Sequence, residues 1–200
     1  LTATEIAHLK RALAEAGLPR LGLRGVIAST LPANAGLSSS AAIELASAWA
    51  MLPDPDATDP MALARICQRA ENEYVGVKSG LMDQFASACG VAGSAGLLDC
   101  RSLEWRPVVL PPDVALVVLH TGSPRHLDGS AYNTRRSQCE AAVSAIAADH
   151  PEVRSLRDVS PALLDASRNR MDPVAFRRAQ HVVSEDTRVS ATVTALATGD

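Results

Sequence analysis

A run of small residues at 32–42, PANAGLSSSAA, constrains this chain more than any other segment. The apolar run at 21–29 predicts a strand before it, and the Ala-rich stretch after it predicts a helix to about Leu52. Backbone N–H groups at the start of a helix lack intrahelical partners and carry the positive end of the helix dipole. The segment therefore predicts a phosphate-binding loop, and a plain serine N-cap is the alternative.

The remaining pattern groups helices and strands into clusters, which predicts an α+β fold. Further helices are predicted at 2–16, from about 60 to Gly76, from 81 to Gly90, and at 129–149, 160–168 and 173–198. Strands are predicted at 95–100, 105–110 and 113–121. Because Pro111 and Pro112 form a turn with Asp113, the last two strands are expected to form an antiparallel hairpin.

The composition argues against two classes of partner. The net charge is −3, and no basic stripe with interleaved aromatic residues indicates nucleic-acid binding. No apolar run approaches the roughly 20 residues that span a membrane. The four cysteines lie in apolar contexts without a C-x-x-C pair, which predicts buried, reduced thiols in a cytoplasmic protein.

Two carboxylates are candidates for chemistry, Glu71 and Asp83. Mg²⁺ prefers hard oxygen ligands and commonly takes one or two carboxylates together with phosphate oxygens. A second carboxylate can orient a hydroxyl group or accept its proton. Spacing alone leaves simpler interpretations open, since Glu71 can be a solvated helix residue and Asp83 a charge at a helix N-terminus.

The order of motifs resembles the galactokinases of the GHMP kinase superfamily. The loop at 32–42 resembles the second GHMP motif, and residues 70–87, AENEYVGVKSGLMDQFAS, resemble the galactokinase signature. Residues 97–104 (LLDCRSLE), 129–140 (GSAYNTRRSQCE) and 178–189 (RAQHVVSEDTRV) extend the similarity over nearly the whole chain. The resemblance implies ATP-dependent phosphorylation of galactose to galactose 1-phosphate.

The same resemblance implies a role for each matching residue. The nucleotide phosphates are bound by Asn34, Ala35, Gly36, Leu37, Ser38, Ser39 and Ser40. Ser40 and Glu71 hold Mg²⁺, Asp83 is the catalytic base, and Gly80, Asp83 and Tyr132 contact the sugar. Asn34 replaces the usual Gly, and Asn tolerates left-handed backbone. Ser79 replaces a common Cys, which is expected to have little effect, while Asp99 and Arg101 are expected to stabilise a turn.

The resemblance also implies a GHMP-kinase-like two-layer fold with a lobe related to domain 2 of ribosomal protein S5. Residues 1–110 match the rest of the N-terminal lobe, and residues 111–200 match the beginning of the C-terminal lobe, with both ends truncated. The family's earlier arginine-bearing motif and later glycine-rich motif are not in the sequence. These 200 residues alone are therefore expected to be a poor or inactive catalyst.

Other functions remain open at this point. A galactokinase-like sensor binds galactose and ATP without turnover, but the intact run Ser38–Ala42 argues against it. An inactive truncated remnant and a GHMP kinase acting on another small alcohol are further alternatives. The expected ligands are galactose, ATP and Mg²⁺, and no obligate protein partner is evident.

Overall fold

The computed structural model describes residues 3–32, 35–76, 78–119 and 129–198. They belong to two compact units, Leu1–Leu127 and Asp128–Asp200. Helices occur together with an antiparallel hairpin, so the predicted α+β class is confirmed. The units divide later in the chain than residue 110, and the assignment of 1–110 and 111–200 to two lobes stays a prediction.

The described part of the first unit contains four helices and a hairpin. The helices are α1 (Ala3–Glu15), α2 (Ser39–Met51), α3 (Pro60–Ala70) and α4 (Met82–Cys89). A π-helical turn, Glu71–Val75, continues α3 and ends at Gly76, which has φ 81°. The strands β1 (Ser94–Leu98) and β2 (Trp105–Val109) are antiparallel, with Gly96 opposite Pro107.

The first three helices share one apolar core. Leu9 and Leu13 are one turn apart on α1, and they are buried together with Leu45 of α2 and Leu63 of α3. Phe85 of α4 packs against the hairpin, where a Cβ atom at Gly96 would lie 2.7 Å from the Phe85 ring. The glycine therefore lets α4, which carries Asp83, lie close to β1.

The second unit is helical and has its own core. It contains α5 (Gly129–Ala147), α6 (Pro161–Ala166) and α7 (Pro173–Thr198), with short 3₁₀ turns at Leu156–Asp158 and Arg168–Arg170. Its buried residues include Ile146, Leu164 and Phe176. Asp172 accepts a hydrogen bond from Val174 N at 2.7 Å and thereby caps the start of α7. Within the described ranges, no helix is both long and apolar enough to cross a membrane.

Two predicted strands differ from the structure. Residues 21–29 and the described part of 113–121 have no strand pairing. The hairpin joins β1 to β2, so the hairpin predicted between 105–110 and 113–121 is wrong. A strand exists only through hydrogen bonds to a neighbour, and neither segment has such a neighbour among the described residues. Their apolar side chains are exposed, with Val26 95% and Leu119 83% accessible.

The turn between the strands of the hairpin is built by Asp99. Its Oδ1 accepts hydrogen bonds from Arg101 N at 2.7 Å and Ser102 N at 3.1 Å. An aspartate that bonds the backbone two and three residues later is typical of a turn. The expected turn-stabilising role of Asp99 is therefore visible in these two bonds to backbone amides.

The cysteines differ in exposure more than the sequence predicts. Cys67 and Cys89 are buried, Cys139 is half-buried and Cys100 is exposed, and all four are free thiols. Cys100 is exposed because it lies in the hairpin turn and not on an apolar face. Burial, reinforced by the nearby Glu44 carboxylate, raises the pKa of the Cys67 thiol.

This difference predicts a graded reaction with Ellman's reagent. Only the thiolate reacts, so Cys100 should react within seconds to minutes, while Cys67 should react only on unfolding. The measurement is the absorbance change with and without denaturant. Cys100→Ser should remove the fast phase, and a fast phase that survives this substitution would contradict the assignment.

Candidate functional site

The loop before α2 has an unusual backbone. Ser38 is the N-cap residue with φ 56° and ψ 35°, a left-handed conformation, and Gly36 also has a positive φ of 77°. For a non-glycine residue this conformation costs roughly 1–2 kcal/mol. Strain of this kind persists where the surrounding structure imposes it and is frequent at binding sites. Asn34 lies outside the described residues.

The first turn of α2 lacks the side-chain cap that two other helices have. Asp59 accepts from Ala62 N at 2.9 Å at the start of α3, and Ser160 accepts from Leu163 N at 3.2 Å at the start of α6. The Ser38 side chain makes no such bond, and the first turn of α2 contains no acidic residue. The plain serine cap therefore does not form at Ser38. The first backbone N–H groups of α2 lie at a helix end that the Ser38 side chain does not cap.

Glu71 is a buried carboxylate at the junction of α3 and the π-helical turn. It is 8% exposed, and its carbonyl oxygen accepts from Gly76 N at 3.2 Å. A π turn adds one residue to a helical turn and often marks a functional site. Glu71 Oε2 accepts two hydrogen bonds, from Ser79 Oγ at 2.7 Å and from Gln84 Nε2 at 3.0 Å. The carboxylate is thus fixed from two sides.

Gln84 joins Glu71 to α2. Its side chain is 1% exposed, and Nε2 also lies 3.4 Å from Oε2 of Glu44, which is itself buried. Ser40 and Glu44 are four residues apart on α2, so they lie on the same face, one turn from each other. The network therefore connects the helix face that carries Ser40 to Glu71.

The residues predicted to contact the sugar belong to different parts of the chain. Asp83 is in the first turn of α4, half-buried, and makes no hydrogen bond or ion pair within the described ranges. Gly80 is exposed in the segment before α4. Tyr132 lies on α5 in the second unit and is 46% exposed. The described contacts unite Glu71, Gln84 and Glu44, while the roles of Asp83, Gly80 and Tyr132 stay predictions.

Sequence reasoning missed three members of this cluster: Glu44, Ser79 and Gln84. Ser79 was expected to have little effect, but its hydroxyl donates to Glu71. Gln84 stands beside Asp83 in the motif M-D-Q-F, and Glu44 follows Ser40 at a spacing of four. That helical spacing was the available signal for Glu44, whereas the bond to Gln84 joins residues that are 40 positions apart.

Comparisons with known proteins agree with the motifs. Residues 3–91 match the family model described as the GHMP kinases N terminal domain. A curated galactokinase from Roseiflexus sp. (strain RS-1) is 44% identical over 191 residues, which is 94% of this chain and 49% of that protein. The chain therefore spans about half the length of the curated relative that it matches.

A solved structure extends the similarity to the fold. The crystal structure of Lactococcus lactis galactokinase complexed with galactose superimposes with a TM-score of 0.83 at 28% identity, covering 100% of this chain and 52% of that one. The α+β arrangement described above is thus the GHMP kinase fold. The family model, the curated relative and the solved structure agree that this chain is similar to galactokinases and has the GHMP kinase fold, as its motifs predicted.

Proposed function

We propose that the protein containing this chain transfers the γ-phosphate of ATP to the C1 hydroxyl of galactose. The observation that carries the proposal is the start of α2, where an uncapped helix end follows a loop with left-handed Ser38 and Gly36. Such an end presents N–H groups and a positive dipole to phosphate oxygens. The relatives' names, galactokinase in both cases, support galactose as the acceptor.

The donor set fits Mg²⁺. Oε2 of Glu71 is occupied by Ser79 and Gln84, while its Oε1 has no hydrogen bond within the described residues. No three His, Cys, Asp or Glu side chains gather as a metal-binding group in that part of the chain. A cation held by Glu71 and the Ser40 hydroxyl would therefore rely on nucleotide oxygens, as Mg²⁺ commonly does. Its chemical contribution is to neutralise negative charge on the phosphates.

The acceptor hydroxyl is assigned to Asp83. A half-buried carboxylate without a hydrogen-bond partner in the described residues is free to accept a proton from a sugar hydroxyl. It lies in the first turn of α4. Gly80 would approach the sugar through its backbone, and Tyr132 would donate a hydrogen bond to it. A cytoplasmic location belongs to the same proposal, and the four free thiols fit it.

The test is a substrate panel on the native gene product that contains these 200 residues. We expect ADP formation that depends on galactose and Mg²⁺, with galactose 1-phosphate detected by ³¹P NMR. Glucose, homoserine and mevalonate serve as control acceptors. Turnover with a different alcohol and not with galactose would mean that galactose is not the substrate. Galactose binding without turnover would favour a sensor.

A further inference from the structure

The two oxygens of the Glu71 carboxylate are in different situations. Oε2 accepts from Ser79 Oγ at 2.7 Å and from Gln84 Nε2 at 3.0 Å, whereas Oε1 has no hydrogen bond within the described residues. A carboxylate with both donors on one oxygen cannot rotate without losing them. The side chain is also 8% exposed, so water competes poorly for those bonds. The contacts thus select Oε1 as the oxygen available for a cation.

Ser79 is itself held in place. Its carbonyl oxygen accepts from Gln68 Nε2 at 3.1 Å and from Asn72 Nδ2 at 3.3 Å. Its hydroxyl has one proton and two nearby acceptors, Glu71 Oε2 at 2.7 Å and Asn72 Oδ1 at 3.0 Å. The shorter distance and the negative charge favour Glu71 as the acceptor. The backbone of residue 79 is therefore fixed independently of the hydrogen bond between its hydroxyl and Glu71.

Gln84 lies between two buried carboxylates. Its Nε2 is 3.0 Å from Glu71 and 3.4 Å from Glu44, and its Oε1 is buried without a partner in the described part of the chain. An amide has two N–H donors, so one side chain can serve both acids. Without these donors, two like charges would face each other in a poorly solvated region and repel. Gln84 therefore fixes the orientation of Glu71 relative to α2.

We propose that Ser79 and Gln84 are positioning residues that hold Glu71 Oε2 and thereby present Oε1 to the cation of a bound Mg²⁺–nucleotide, while Glu44 accepts from the Gln84 amide. The inference rests on the proposed function. In this role Ser79 is not equivalent to the Cys that is common at this position, because a thiol is a weaker hydrogen-bond donor than a hydroxyl group. Since Gln84 follows Asp83 on α4, the same amide holds the helix turn that carries the proposed base.

The experiment measures binding and not turnover. Titration calorimetry on the native gene product would measure two affinities, one for ADP in the presence of EDTA and one for the Mn²⁺–ADP complex. We expect Ser79→Ala and Gln84→Met to weaken Mn²⁺–ADP binding by roughly 10–100-fold, as is typical for residues that orient metal ligands. Affinity for metal-free ADP should be unchanged in both variants. Ser79→Thr keeps the hydroxyl and should retain most of the Mn²⁺-dependent affinity.

Two further variants make the outcomes distinct. Ser144→Ala removes an exposed hydroxyl that bonds to the Glu140 carbonyl, and this variant should bind like the wild type. Glu71→Gln measures how much Mn²⁺-dependent affinity is lost when the proposed metal-binding carboxylate itself is removed. If Glu71→Gln loses the metal-dependent gain while Ser79→Ala and Gln84→Met keep it, the positioning role is wrong and the proposed function stands. If the wild type binds ADP equally with and without Mn²⁺, both the proposed function and this inference fail.

Discussion

Asp83→Asn should lower kcat for galactose phosphorylation by roughly 10²–10⁴-fold, the usual contribution of a general base. The amide cannot accept the proton of the sugar hydroxyl, while its size and shape match the carboxylate. Nucleotide affinity should change little, because the proposed phosphate contacts lie at the start of α2. The measurement is galactose-dependent ADP formation by the native gene product, together with calorimetric titration of Mg²⁺–ATP.

Asp165→Asn is the matched control, since Asp165 is an exposed carboxylate on α6 in the second unit. It should leave kcat and nucleotide affinity unchanged. The folding of Asp83→Asn is checked by circular dichroism, because loss of a negative charge in the first turn of α4 costs about 0.3–1 kcal/mol in helix stability. Turnover near the wild-type rate in a folded Asp83→Asn protein would show that Asp83 is not the base.

Leu45→Ala should lower the free energy of unfolding of the first unit by roughly 2–5 kcal/mol. Leu45 is 1% exposed and packs among the buried side chains of α1, α2 and α3. Its replacement opens a cavity directly beneath the helix that carries Ser40 and Glu44. Both tryptophans, Trp49 and Trp105, belong to the first unit, so urea titration followed by tryptophan fluorescence reports on that unit.

Leu116→Ala provides the comparison for the same measurement on these 200 residues. Leu116 is 81% exposed and contributes little buried area, so the change should stay within about 0.5 kcal/mol. A loss as large as that of Leu45→Ala would mean that the segment 114–119 is buried in solution.

The helices were accessible to sequence reasoning because their signals are local. α4 was predicted to end at Gly90 and does end at Cys89, and the helix predicted at 173–198 matches α7. Apolar residues at a spacing of three to four and caps such as Asp172 act within a few residues of the chain. The strands were less accessible, because 21–29 and 113–119 have strand-like composition but no pairing partner among the described residues.

The features of the candidate site also differ in how far short sequence motifs reveal them. The small-residue loop before α2, the carboxylates Glu71 and Asp83, and the resemblance to galactokinases were readable from short motifs, and the comparisons confirmed the similarity. The motifs did not reveal that Ser79 fixes Glu71, since a serine beside a glycine has many possible partners. They also did not separate the exposed Cys100 from the buried Cys67.

The sequence by itself determined the helices, the small-residue loop before α2 and the similarity to galactokinases, because each is encoded by neighbouring residues. Only the tertiary structure decided which strands pair and which polar groups surround Glu71. The reason is physical: Glu44 and Gln84 are 40 positions apart, and Glu71 and Gln84 are 13 apart. Burial brings them within hydrogen-bond distance only after α2, α3 and α4 have packed.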